Sequence, residues 1–202
     1  SRHPDVAMMS FTGSLRAGAA VSKDAADCAK KVSLELGGKS PNLVFYDADL
    51  ENAVKRGVRQ MFNNSGQSCN APSRMLVQHS VYEEAKTIAV KTAEQQDVGD
   101  PDQAGKHIGP LVNHIQFVKP TIFADVTNDM RIAREEIFGP VLTMIPFETE
   151  EEAIAIANDT EYGLSAYVQT EDAEKAMRVT RQLKAGMVHI NGAGMAPGSP
   201  FG

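Results

Sequence analysis

Short apolar runs alternate with Ala-rich or amphipathic stretches along the 202-residue chain, and that spacing predicts strands alternating with helices. Val6–Phe11 reads as a buried strand, Thr12-Gly13-Ser14 as a turn, an Ala-rich stretch to about Ala29 as a helix, and Val32–Leu36 as the next strand. That makes one βαβ unit. Pro41–Tyr46 follows as a short strand, with Asp49 placed as an N-cap. Leu50, Ala53, Val54, Gly57, Val58, Met61 and Phe62 then recur at offsets of three and four, the apolar stripe of an amphipathic helix. This helix delivers Asn63–Cys69 at its C-terminal end.

The alternation continues with a strand at Arg74–Gln78, a helix opened by a Ser80/Glu83 capping box, a strand at Val141–Ile145 and a second box at Thr149/Glu152. A strand at Ser165–Gln169, a helix at Glu171–Lys184 closed by Gly186, and a strand at Met187–Ile190 complete the pattern. The expected class is α/β, with largely parallel sheets and helices on their faces. One junction reads poorly. Asn113–Gln116 opens like a helix, yet the strand-like run Phe117–Thr121 with its helix-breaking Pro120 follows at once.

Two residues suggest chemistry. Glu35 sits in Leu34-Glu35-Leu36-Gly37-Gly38-Lys39, and Cys69 closes Asn64-Ser65-Gly66-Gln67-Ser68-Cys69. A thiol attacks a carbonyl as thiolate, so it gains from a nearby base, and glycines let backbone and ligand approach closely. The plain alternatives are a small core residue for Cys69 and an ordinary strand-end carboxylate for Glu35. Cys28, in the Ala-rich helix without an activating neighbour, is expected to pack in the core.

The net charge of −6 argues against a nucleic-acid surface. No run approaches the length of a membrane span, and no signal pattern opens the chain, so a cytoplasmic setting with two reduced cysteines is expected. None of the five histidines shares a metal-ligand spacing with another histidine or a cysteine, so no metal site is expected.

The words Ser10-Phe11-Thr12-Gly13-Ser14, Leu34–Ser40, Gly66-Gln67-Ser68-Cys69 and Glu135-Glu136-Ile137-Phe138-Gly139-Pro140-Val141, in that order, resemble the NAD(P)-dependent aldehyde dehydrogenase superfamily. The resemblance implies oxidation of a small-molecule aldehyde to a carboxylic acid with NAD or NADP, through a thiohemiacetal and a thioester on Cys69. It implies Glu35 as the base for deacylation. Gly13 and Ser14 would contact the cofactor pyrophosphate, Leu36 and Gly37 would line the nicotinamide pocket, and Glu136 and Phe138 would hold and flank its ribose. Ser68, Asn70 and Phe201 would border the substrate.

By the same resemblance, residues 1–38 are a remnant of the nucleotide-binding domain and 39–202 a catalytic domain with an internal deletion near 116–117. The first half of the nucleotide fold, an oxyanion-hole Asn, a cofactor Lys and an oligomerisation strand of the family are expected to be missing. A homo-oligomer is expected. Alternatives are a cofactor-independent thiol esterase, which Cys69 and Glu35 could support, and a non-catalytic remnant.

Overall fold

A computed structural model describes residues 1–112 and 116–194. The chain divides into two compact units, Ser1–Gly37 and Gly38 onward. In the first, β1 (Met8–Thr12) and β2 (Lys31–Glu35) pair in parallel, with Met8 opposite Lys31 and Thr12 opposite Glu35. The intervening α1 (Leu15–Ala26) starts at Ser14, whose hydroxyl accepts from the Ala17 N–H at 3.3 Å. This is the expected βαβ unit.

Two expectations fail in this unit. Val6–Phe11 is not a buried strand: Val6 is 38% and Met8 46% exposed, and β1 alternates exposed with half-buried residues. Parallel strands are usually covered on both faces, and within this unit one helix serves two strands. Cys28 is exposed and lies beyond the helix, in a turn where its N–H reaches the Ala25 carbonyl at 3.2 Å. Ala29 follows at φ 51°, the left-handed conformation that commonly ends a helix.

The second unit contains β3 (Pro41–Val44), α2 (Leu50–Phe62), β4 (Arg74–Gln78), α3 (Tyr82–Glu94), β5 (Thr121–Phe123), α4 (Arg131–Arg134), β6 (Val141–Phe147), α5 (Glu150–Asn158), β7 (Ser165–Gln169), α6 (Ala173–Thr180) and β8 (Met187–Ile190). Its six strands are all parallel, in the order β5-β6-β4-β3-β7-β8. Each strand's two-residue period feeds two cores. Val44, Met75, Val77, Leu142 and Met144 pack under α2 and α3, while Leu43, Phe45, Leu76, Ile145 and Val168 face α5 and α6.

Six of the seven stripe residues of α2, all but Leu50, are buried. Burying each Val, Met or Phe side chain contributes roughly 1.5–3 kcal/mol, which outweighs the weak intrinsic preference of any one residue. Asp49 caps this helix through Asn52 N, and Thr149 caps α5 through Glu152 N at 3.2 Å. The Ser80/Glu83 box does not form. A short 3-10 turn at His79–Val81 pushes the start of α3 to Tyr82, and no side chain caps it. The helix expected at Glu171–Lys184 is shorter, beginning where Asp172 caps the Glu174 and Lys175 N–H groups.

Around the expected junction, Leu111 bridges Gln116 in antiparallel fashion and Phe117 is 52% exposed. Residues 113–115, where a helix was expected to open, lie outside the described residues.

Candidate active site

Parallel strands all begin at one edge of their sheet, so the loops that precede them gather there. Gly38 lies just before β3, Cys69 five residues before β4, and Glu136–Pro140 just before β6. Ligands of open α/β sheets usually sit beyond the opposite, carboxyl edge. In this unit the residues of interest collect at the amino edge.

The loop that carries Cys69 is bent by Asn64, Ser65 and Gly66, three successive residues in the left-handed region with φ of 52°, 56° and 72°. Such strain persists only where surrounding contacts hold it. Ser65 Oγ donates to the Gly109 carbonyl at 2.7 Å, Asn64 Nδ2 to the Gln67 carbonyl at 2.9 Å, and Gln67 Oε1 accepts from Val112 N at 2.8 Å. Beyond the thiol, the Asn70 carbonyl accepts from Tyr167 Oη at 2.8 Å, and that hydroxyl accepts from Gln60 Nε2 at 2.9 Å. Burial holds the Tyr167 phenol above its usual pKa, so it stays a donor.

Two glycines permit this closeness. A Cβ on Gly38 would overlap the Cys69 carbonyl oxygen, and one on Gly66 would overlap the Gly139 carbonyl oxygen. Gly38 also donates its N–H to Glu136 Oε1 at 3.0 Å across 98 positions of sequence. Gly38, Gly66, Ser68, Glu136 and Phe138 therefore line one small cavity. Phe138 stands at φ 55° and is 46% exposed.

Of the remaining expected residues, all but Phe201 belong to the first unit. Glu35 is half-buried at the end of β2, and its carbonyl accepts the Gly13 N–H at 3.0 Å. That bond engages the Gly13 N–H, leaving Ser14 and the uncapped first-turn amides of α1 as the donors free for an anion. Leu36 packs its side chain against Gly18 of α1, and Gly37 is half-buried. Phe201 lies outside the described residues.

Three residues were missed. Gly38 was visible in the Gly37-Gly38 pair, and Tyr167 could have been flagged as a phenol in an apolar strand that needs a partner. Lys39, buried two residues before β3, gave no signal. Among the described residues, no group of three His, Cys, Asp or Glu side chains is placed to hold a metal, and no helix is long and apolar enough to cross a membrane.

The model of the aldehyde dehydrogenase family matches residues 1–119 and 114–202. The chain belongs to the aldehyde dehydrogenase family. A 3-succinoylsemialdehyde-pyridine dehydrogenase from a Pseudomonas species is 47% identical over 233 aligned residues, covering 99% of this chain and 49% of the relative. The crystal structure of an aldehyde dehydrogenase from Bartonella henselae superposes with a TM-score of 0.95 at 46% identity, over 100% of this chain and 49% of its own. A mutant aldehyde dehydrogenase C from Pseudomonas syringae, solved with NAD+ and octanal, gives 0.90 at 43% identity, covering 100% and 48%. This aldehyde dehydrogenase chain thus spans about half the length of the curated relatives it matches.

Proposed function

We propose that the chain carries the thiol-bearing part of an enzyme that oxidises a small-molecule aldehyde to a carboxylic acid with NAD or NADP. The observation that carries this reading is the knitting of three loops at one sheet edge, with Gly38 against the Cys69 carbonyl and hydrogen-bonded to Glu136. The family membership and the NAD+ and octanal bound by the Pseudomonas syringae relative support it.

In this reading Cys69 adds as thiolate to the aldehyde carbon, giving a thiohemiacetal whose collapse to a thioester releases a hydride. The nicotinamide cofactor, when bound, supplies the hydride acceptor. Glu35 removes a proton from the water that hydrolyses the thioester. Ser68 and Asn70 border the substrate beside Cys69, as Phe201 would. The Glu136 carboxylate keeps one oxygen on Gly38 N–H and has acceptor capacity left for ribose hydroxyls, while Phe138 presents an exposed ring beside it. Ser14 offers its hydroxyl to a phosphate at the start of α1, next to Gly13, and Leu36 and Gly37 line the nicotinamide side.

Residues 1–38 read as a remnant of the nucleotide-binding domain and 39–202 as the catalytic domain. Alignments of 233 and 235 positions against a 202-residue chain, with the family match dividing at 114–119, support a shortened junction near 116–117. The exposed Val112 and Phe117 beside it favour self-association, which light scattering at micromolar concentration reads directly.

The deciding experiment gives the chain octanal with NAD+ or NADP+ and follows nicotinamide absorbance, with Cys69→Ala as control. Turnover lost in the variant supports the dehydrogenase reading. Ester hydrolysis without cofactor turnover moves the assignment to a thiol esterase, and neither activity leaves a non-catalytic remnant.

A further inference from the structure

The main chain is tied on both sides of Cys69, by different kinds of element. Before the thiol, Ser65 and Gln67 are hydrogen-bonded to the main chain at Gly109 and Val112, in a loop. After it, the first side-chain tie falls on the Asn70 carbonyl and comes from the sheet itself. The donor is Tyr167, 4% exposed in the middle of β7, at 2.8 Å. Gln60 of α2 donates to the same phenol oxygen at 2.9 Å, so the O–H is turned toward Asn70. The His189 ring of β8 stacks on the phenol, with centroids 4.9 Å apart and planes 16° from parallel. Three elements thus fix one hydroxyl, and that hydroxyl fixes the residue next to the thiol.

Burial alone does not call for this hydroxyl. A Phe would place the same ring in β7, and the half-buried Gln60 could turn its amide to water. The bond to Asn70 is what the phenol oxygen adds. A sheet and a helix also hold a neighbouring group more precisely than a loop does.

We propose that Tyr167 is a positioning residue for Cys69, acting through Asn70, with Gln60 orienting its hydroxyl. The proposal rests on the reading of Cys69 as the nucleophile. Acyl transfer to a thiol needs the sulfur and the donors around the developing oxyanion in one arrangement, and a shift of about 1 Å can cost on the order of 10²-fold. Alkylation of the same thiol needs only access and the thiolate. Loss of positioning therefore separates the two reactions, whereas general loosening changes both through exposure.

Tyr167→Phe keeps the ring and deletes the donor. Wild type and variant are compared with two reagents, each read at Cys69 and at the exposed Cys28 by peptide mass spectrometry. With p-nitrophenyl acetate the sulfur adds to the carbonyl carbon, the ester C–O bond breaks and nitrophenolate leaves; with iodoacetamide the sulfur displaces iodide. In the variant, acetylation of Cys69 should fall about 10-fold relative to Cys28, as for one lost hydrogen bond, while alkylation changes by less than about 2-fold. Unchanged acetylation, or acetylation and alkylation that shift together, overturns the proposal. Wild-type Cys69 that acetylates no faster than Cys28 overturns the nucleophile reading itself, and the proposal with it. If Tyr167→Phe does not fold, Gln60→Leu takes its place: the same selective fall is expected to a lesser degree, and its absence overturns the proposal.

Discussion

The two compact units share a βαβ grammar but not a core. Among residues 1–37 only Gly18 and Ala25 are buried, whereas the six-stranded unit buries two apolar layers, one on each face of its sheet. Identical local rules, a parallel pair with a crossover helix, thus build a two-sided core only where a second layer covers the other face. Chemistry follows the same divide. The thiol loop sits in a unit whose own side chains hold it, and the expected base and pyrophosphate contacts sit in a unit with little to hold them.

Hydrogen exchange should sharpen that contrast most. Amides of β3, β4 and β6 should exchange only through global opening, and those of β1 at least about 10³-fold faster, because local opening costs little where few side chains are buried. Equal protection in β1 and β4 would erase the difference between the units.

Arg74→Met attacks the larger unit where β4 is tied to α5 and to the segment before β3. Three carbonyls lose their donor, so urea unfolding of this unit should show a loss of about 3–5 kcal/mol. The protection of β1 should stay the same. A neutral effect would mean that relief of the buried charge outweighs the lost bonds.

A smaller loss, about 2–4 kcal/mol, is expected for Gly66→Ala. It combines a side chain at φ 72° with overlap on the Gly139 carbonyl. Cys69 reactivity should fall with it, since the same left-handed run leads the chain into Cys69. A variant of unchanged stability would show that the turn yields freely.

The subtlest effect is electrostatic. Burial first, and then the Arg74 charge, push the Lys39 ammonium down to about 8, although Glu136 pulls the other way. Between pH 8 and the ordinary Lys value, the unfolded chain binds a proton that the folded chain has released. Stability therefore rises with pH in this window, by on the order of 2 kcal/mol between pH 8 and 10. Above pH 10 the buried phenols of Tyr82 and Tyr167, with raised pKa values, begin to oppose it. Chemical denaturation across the range should show the rise, and Lys39→Met should abolish it.

What could be read from the sequence follows physical range. The α2 stripe, the Asp49 and Thr149 caps and the alternation of strands and helices depend on neighbours within a turn or two, and they appear as expected. Ser80 failed as a cap because a tight turn competes for the same residues. Cys28 failed because the helix ended two residues early. In the site, the words around Cys69 and Glu136 were legible, but the bond from Gly38 to Glu136 spans 98 positions and no periodicity encodes it. Burial of Lys39 and Arg74 was equally hidden, since a charged residue at a strand start ordinarily reads as solvated.

The central claim is that Cys69, in its self-supported loop, is the nucleophile of this chain. Brief reaction with an activated acetyl ester, followed by peptide mass spectrometry, measures it directly, because Cys28 is the more exposed of the two thiols and serves as an internal reference. The account predicts an acetyl thioester on Cys69 well before any on Cys28, and none on Cys28 at matching times in Cys69→Ala. Faster acetylation of Cys28, in proportion to its exposure, would contradict it.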